Sequence, residues 1–253
     1  MFGLSFPLKT YFLATFIYAL AFFISFFKEK LSYFLLFFGF LVNLVSEISG
    51  RSIIWPYCNM FSEPYFLPLF FSAAFLSIPS LRKEIKISTF LVFISSLIPV
   101  FFSEGYYPPF TLMSKSIFAH LFHLSLFIGH GFMFVSAYFA LLCFFKNKDY
   151  KASVYRYSAI GFFILCITGA FGMIWSYVGR CDVISWNHYY FHSIGTWFYY
   201  ISLFHLYSQE RLDKKALFLF VGGSILIFVL DYIPQIGGIH KPILNERLYE
   251  VFQ

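Results

Sequence analysis

Charge is the scarcest property of this chain. Asp, Glu, Lys and Arg make up 12% of its 253 residues, where a soluble domain carries about 25%. That deficit excludes a soluble fold, because 40 Phe residues in a 60% hydrophobic chain have too little aqueous-protein interior to hide in, whereas lipid is an apolar solvent on every side. Metal-ligand spacing is lacking too. Cys58, Cys143, Cys166 and Cys181 form no CxxC or similar pair, so neither a zinc site nor a redox couple is written locally. The first apolar run, Leu8 to Phe27, has no A-x-A-like cleavage site and is of full spanning length, so it reads as a retained helix and not as a signal peptide. No internal repeat or linker interrupts the chain, and residues 1–253 read as one integral membrane domain.

What the chain has in abundance is apolar length. A hydrocarbon core of about 30 Å needs about 20 residues of helix, and eight stretches approach or exceed that: residues 8–27, 31–48, 64–80, 87–103, 118–145, 157–178, 193–208 and 216–233. The third carries Pro64, Pro68 and Pro79, which makes seven spans the alternative count. Alternating eight spans sorts the basic residues unequally. Lys28, Lys30, Arg82, Lys83, Lys86, Lys146, Lys148, Lys151, Arg156, Arg211, Lys214 and Lys215 fall on one side; Lys9, Arg51, Lys115, Arg180, Lys241 and Arg247 fall on the other. The richer side is cytoplasmic by the positive-inside rule. The expectation is therefore an all-α, polytopic transmembrane helical bundle of about eight spans with both termini outside. Segments 49–63, 104–117 and 179–192 and the tail from Tyr232 then lie outside as well. The net charge of +6 reports this topology and not a nucleic-acid ligand.

Histidine is the candidate chemistry. At 100° per residue, His120, His123 and His130 fall within about 80° of one another on the fifth span. His188 and His192 stand one turn apart at the entrance to the seventh span, His205 lies near its far end, and His240 follows the eighth. Each imidazole alone can be interhelical packing glue. As a set they suit heme-iron ligation or a proton relay. The spans are almost free of Asp and Glu, with Asp231 an exception, and that disfavours a proton pump. Between Trp175 and Trp197 runs WSYVGRCDVISWNHYYFHSIGTW, whose composition alone is that of an interfacial aromatic belt.

The order of residues says more. YRYSAIGFFILCITGAFGMIW, then Gly179, then Ser185 to Asn187 (SWN), then SIGTWFYYISLFHL resembles the tryptophan-rich WWD region of the CcsA/ResC family of cytochrome c synthase subunits. Trp197 and His205 have that family's Trp-to-His spacing. His123 in HLFHLSLF matches its outer histidine, with His120 the alternative, and Gly238 to His240 matches the histidine after the last span. Pro56, Asn59 and Glu63 resemble an upstream outer loop. The likeness covers residues 118–242 well and 1–117 weakly. Asn187 stands where the family has Asp, Trp186 where it has paired tryptophans, and the interval from Gly169 to Trp197 is about three residues longer.

The resemblance implies cytochrome c-type biogenesis. Heme b, held non-covalently and transiently, would be presented on the outer face for thioether attachment to the CxxCH motif of an apocytochrome c, making the chain a heme lyase subunit. His123 and His240 would be outer axial ligands of the iron and His205 an inner one. Trp175, Trp186, Trp197 and Asn187 would form the surrounding cofactor surface. A ResB/CcsB-type membrane subunit is the implied partner, and a bacterial inner (plasma) membrane or plastid thylakoid membrane the implied location. Two other readings stand beside it: a CcmC-like heme delivery protein, which has six spans, and a transporter or structural membrane subunit with incidental histidines.

Overall fold

The computed structural model describes residues 5–55, 63–101, 115–146, 149–183, 188–208 and 216–233. All regular structure among them is helical. The helices are α1 (Ser5–Ser25), α2 (Glu29–Ile54), α3 (Glu63–Ser77), the short α4 (Pro79–Arg82), α5 (Ile85–Phe101), α6 (Ile117–Phe145), α7 (Lys151–Arg180), α8 (His188–Ser208) and α9 (Phe218–Ile227). The last continues into a π-helical turn, Phe228–Tyr232.

Each of the eight apolar stretches overlaps a helix, the third being divided between α3 and α4 and the fourth extending past the described residues, but they are not equal. Among the described residues four helical segments are long and apolar enough to cross a membrane: Phe6–Ser25, Glu29–Ser52, Ile117–Phe145 and Lys151–Gly179. Pro64–Ser77, Ile85–Phe101 and Phe218–Tyr232 are shorter apolar helices. α8 has the length, 21 residues, but its Tyr and His content keeps it out of the four.

The exterior is what lipid selects. Phe16, Phe23, Phe34, Phe163 and Phe198 are each more than half exposed, while Asn43, Ser72, Ser88 and Thr89 are fully enclosed. That inverts the arrangement of a water-soluble protein, in which polar side chains face out. Prolines inside α3 (Pro68) and α5 (Pro99) fit the same medium, since neighbouring hydroxyls and helices re-satisfy the backbone. In α3, Ser72 Oγ donates back to the carbonyls of Pro68 and Leu69 at 2.8 and 2.9 Å, which keeps this hydroxyl satisfied within its own helix.

The described helices divide into two compact units. The first holds α1 to α5. Its helices are joined by hydroxyls and one amide: Asn43 Nδ2 donates to Tyr18 Oη at 3.4 Å, and Tyr18 Oη lies 3.2 Å from Ser72 Oγ. Tyr11 Oη donates to the Ser96 carbonyl at 3.0 Å, Ser46 Oγ to that of Pro7 at 2.7 Å, and Ser32 Oγ to that of Ala21 at 2.7 Å. Such bonds hold helices together where apolar side chains gain nothing by leaving lipid. On α2, Glu47 and Arg51 stand one turn apart with 3.8 Å between their charged groups.

The second unit is built from α6 to α9. Ser116 caps α6 by accepting from Phe118 N–H at 3.3 Å, the residue type and geometry that satisfy an orphan helix donor. α7 runs antiparallel along α6. The two backbones meet where both helices lack a side chain: a Cβ on Gly161 would lie 2.8 Å from the Gly129 carbonyl oxygen. Below and above that crossing, Thr168 Oγ1 donates to Ser125 Oγ at 2.8 Å and Ser136 Oγ to the Val154 carbonyl at 2.8 Å. α8 and α9 complete the unit. Tyr199 Oη donates to the Leu219 carbonyl at 2.6 Å, joining α8 to α9, and Ser224 Oγ to that of Met133 at 3.1 Å, joining α9 to α6. α7 ends at Cys181, which takes the left-handed conformation with φ 55°, a cap position usually given to Gly.

Candidate functional site in the second unit

The α6 histidine stripe is real in three dimensions, and its members have different surroundings. His123 is buried, with 4% of its surface exposed. Its ring sits edge-on to Trp175 of α7, centroids 5.7 Å apart at 67°, and is flanked by Phe122 at 5.0 Å and Phe127 at 6.0 Å. Trp175 also meets Phe122 at 5.6 Å. The antiparallel pairing causes this: the first turns of α6 run beside the last turns of α7, and Gly172, whose added Cβ would touch the Phe122 ring at 3.0 Å, lets that ring lie close to α7. An imidazole nitrogen between aromatic walls is a donor set that a flat iron macrocycle accepts, with the nitrogen for the metal and the ring faces for the macrocycle. His120, one turn earlier, is half-buried.

Trp197 lies elsewhere. Its Nε1 donates to Cys166 Sγ of α7 at 3.4 Å, and its ring is 5.9 Å from Phe162. Cys166 and Trp175 are nine residues apart on α7, which is about 13 Å and about two and a half turns. The two tryptophans are thus on opposite sides of α7: Trp175 faces α6, Trp197 faces α7 from α8, and they share no surface. His205 stands near the C-terminal end of α8, exposed, with its carbonyl accepting from Ser208 Oγ at 2.8 Å. Trp186, Asn187 and His240 lie outside the described residues, as do Pro56 and Asn59. The structure therefore brings His123 together with Trp175, and leaves Trp197 and His205 apart from that pair.

One pairing was not written in any local motif. His130 Nε2 lies 3.6 Å from Asp231 Oδ2, with the two side chains 3% and 17% exposed. Asp231 belongs to the π-helical turn, and the neighbouring Tyr232 ring lies 6.0 Å from that of His130. The signal available beforehand was the single acidic residue in the last apolar stretch together with the third histidine of the stripe. Among the described residues no three His, Cys, Asp or Glu side chains converge into a metal cluster; axial heme ligation needs two at most.

No protein-family model, no curated protein and no solved structure matches this chain.

Proposed function

We propose that this protein handles heme: it binds heme b non-covalently and presents it on the outer or lumenal face of a bacterial plasma or thylakoid membrane for attachment to apocytochrome c. In this reading it is a bundle of about eight spans with both termini outside, working beside a ResB/CcsB-type subunit. The observation that carries the proposal is the buried His123 imidazole set edge-on against Trp175. The residue order around the aromatic loop supports it from the sequence side.

The roles follow from chemistry. His123, with His240, would hold the iron on the outer side, and His205 would serve toward the other end of α8. Heme, when bound, supplies the vinyl carbons that become thioethers with apocytochrome thiols. The chain's own contribution is placement: Phe122, Phe127 and Trp175 keep water from the His123 nitrogens and fix the ring's angle.

The test is an absorption spectrum of the detergent-purified protein co-expressed with a ResB/CcsB-type subunit. A Soret band is expected, falling at least about tenfold in His123→Ala and returning in part with added imidazole, which refills an axial position. His205→Ala should lose more heme than His188→Ala. Heme that is bound but passed on without thioether formation would indicate a CcmC-like delivery role. A wild-type protein with no Soret band would favour a transporter or structural subunit.

A further inference from the structure

We propose that the exposed start of α7 seats an anionic phospholipid, its headgroup on a surface formed by Lys151, Ala152, Tyr155 and Arg156, independently of the heme reading. α7 is longer than a membrane requires. Its apolar part, residues 157–178, extends about 33 Å at 1.5 Å per residue and by itself crosses a hydrocarbon core of about 30 Å. Lys151 to Arg156 precede that part and add about 9 Å, which puts them at headgroup depth.

Depth alone makes an interfacial belt; the side-chain arrangement makes a seat. Positions 151 and 155, like 152 and 156, are one turn apart, so the four are neighbours on the helix surface. All four are exposed. Ala152 is the small member, which leaves the patch low in the middle with a cation on either side. Tyr155 is held in place: its ring stacks on Tyr207 of α8, centroids 4.1 Å apart at 13°, and meets Phe204 edge-on at 5.6 Å and 85°. Its hydroxyl can donate to a phosphate oxygen, and its prior fixation lowers the ordering cost of binding.

Charge complementarity names the occupant. Among the described residues around the α6–α7 connection, Lys146, Lys151 and Arg156 stand with one carboxylate, Asp149. Asp149 Oδ1 accepts from the Lys151 backbone N–H at 3.3 Å, so it is engaged at the helix start. The guanidinium of Arg156 suits two phosphate oxygens at once, and Lys151 adds a point charge. A net positive surface at this depth attracts anionic lipid, whereas the cationic group of a zwitterionic headgroup is repelled.

The same side of α7 continues as an acyl-chain track. At 100° per residue, positions 152, 156, 160, 163 and 167 fall on one stripe, and Ile160, Phe163 and Ile167 are all exposed. A headgroup seat that runs directly into an apolar stripe fits a lipid and not a free anion.

The experiment is native mass spectrometry of the full chain in detergent, titrated with phosphatidylglycerol or with phosphatidylcholine of the same acyl chains. The wild type should bind phosphatidylglycerol about tenfold more tightly, and Lys151→Gln combined with Arg156→Gln should remove most of that preference, each basic residue being worth about fivefold. Ala152→Leu keeps every charge but fills the centre, and should weaken phosphatidylglycerol by about threefold. Lys28→Gln combined with Lys30→Gln, in the first unit, should change nothing. Lys151→Arg combined with Arg156→Lys should retain the preference, and keeps the test decisive if the Gln pair does not fold. A silent Ala152→Leu together with equal losses from the two Gln pairs would reduce the patch to a diffuse basic belt and overturn the proposal. Equal affinity for the two lipids would overturn it too, as would displacement by inorganic phosphate, which would make the occupant a free anion.

Discussion

In the first unit the side chains seen to join helices are Tyr11, Tyr18, Ser32, Asn43, Ser46 and Ser72, all neutral; its charged pair, Glu47 and Arg51, lies along a single helix, and the buried Glu84 stands in the turn between α4 and α5. In the second unit the backbones of α6 and α7 themselves meet at Gly129 and Gly161, and the seam with α9 encloses an imidazole and a carboxylate. Neutral hydroxyls suffice to glue helices in lipid. Ionisable groups exceed what gluing requires, because each costs more to bury than the bond returns. The difference teaches where to look for chemistry: the second unit carries groups that packing alone does not explain.

The comparison can be broken most forcefully at the glycines. Gly161→Ala should cost about 1–3 kcal/mol, because its new methyl meets the fixed Gly129 carbonyl oxygen. Gly39→Ala in the first unit meets the Tyr18 ring at 2.7 Å, a buried side chain but not backbone, and should cost less, because a ring can shift by a few tenths of an ångström where a helix carbonyl moves only with its helix. Thermal unfolding in detergent, followed by circular dichroism, measures both; an equal or reversed ranking would refute the distinction between backbone-packed and side-chain-glued units. A smaller effect is expected at Tyr18→Phe, which removes the hydroxyl shared by Asn43 and Ser72. Interhelical bonds of this kind are worth about 0.6 kcal/mol and at most about 1.7, and a loss well beyond that would mean the first unit depends on its polar network as heavily as the second does on close packing. The smallest effect belongs to Arg51→Ala, where a partly exposed pair one turn apart on one helix contributes about 0.3–0.5 kcal/mol. A loss several times larger would give this pair a structural weight beyond that of the neutral bonds that join the unit's helices.

Much of the helical framework was legible beforehand because lipid imposes a length and an apolar composition that few other environments demand. Residues 118–145 stand out in the sequence and become α6 almost unchanged, while 157–178 form the apolar part of the longer α7. The histidine stripe was legible too, since 100° per residue is fixed geometry. Its partners were not. Which neighbour each histidine meets depends on helix order and on where backbones can touch: the approach of α6 and α7 at Gly129 and Gly161 goes with the antiparallel register that places Trp175 beside His123. Trp175 and Trp197 read as one aromatic surface in a linear segment, yet the turn count between Trp175 and Cys166 sends them to opposite sides of α7. The pairing of His130 with Asp231 spans most of the second unit and depends on a local winding that hydropathy does not encode.

That winding has a consequence of its own. In the turn Phe228–Tyr232 the Ile233 N–H bonds back to the Phe228 carbonyl, five residues earlier, so the helix there spends one residue more per turn than an α-helix does. Every side chain after it is set back by about 100° relative to an uninterrupted α-helix. Deleting a single residue from the turn would let α9 rewind regularly, and the carboxylate would swing off the α6 seam although no atom of its own had changed. The angular position of Asp231 is therefore held by chain count, so a one-residue length change here should act as strongly on the pair as replacing the acid itself.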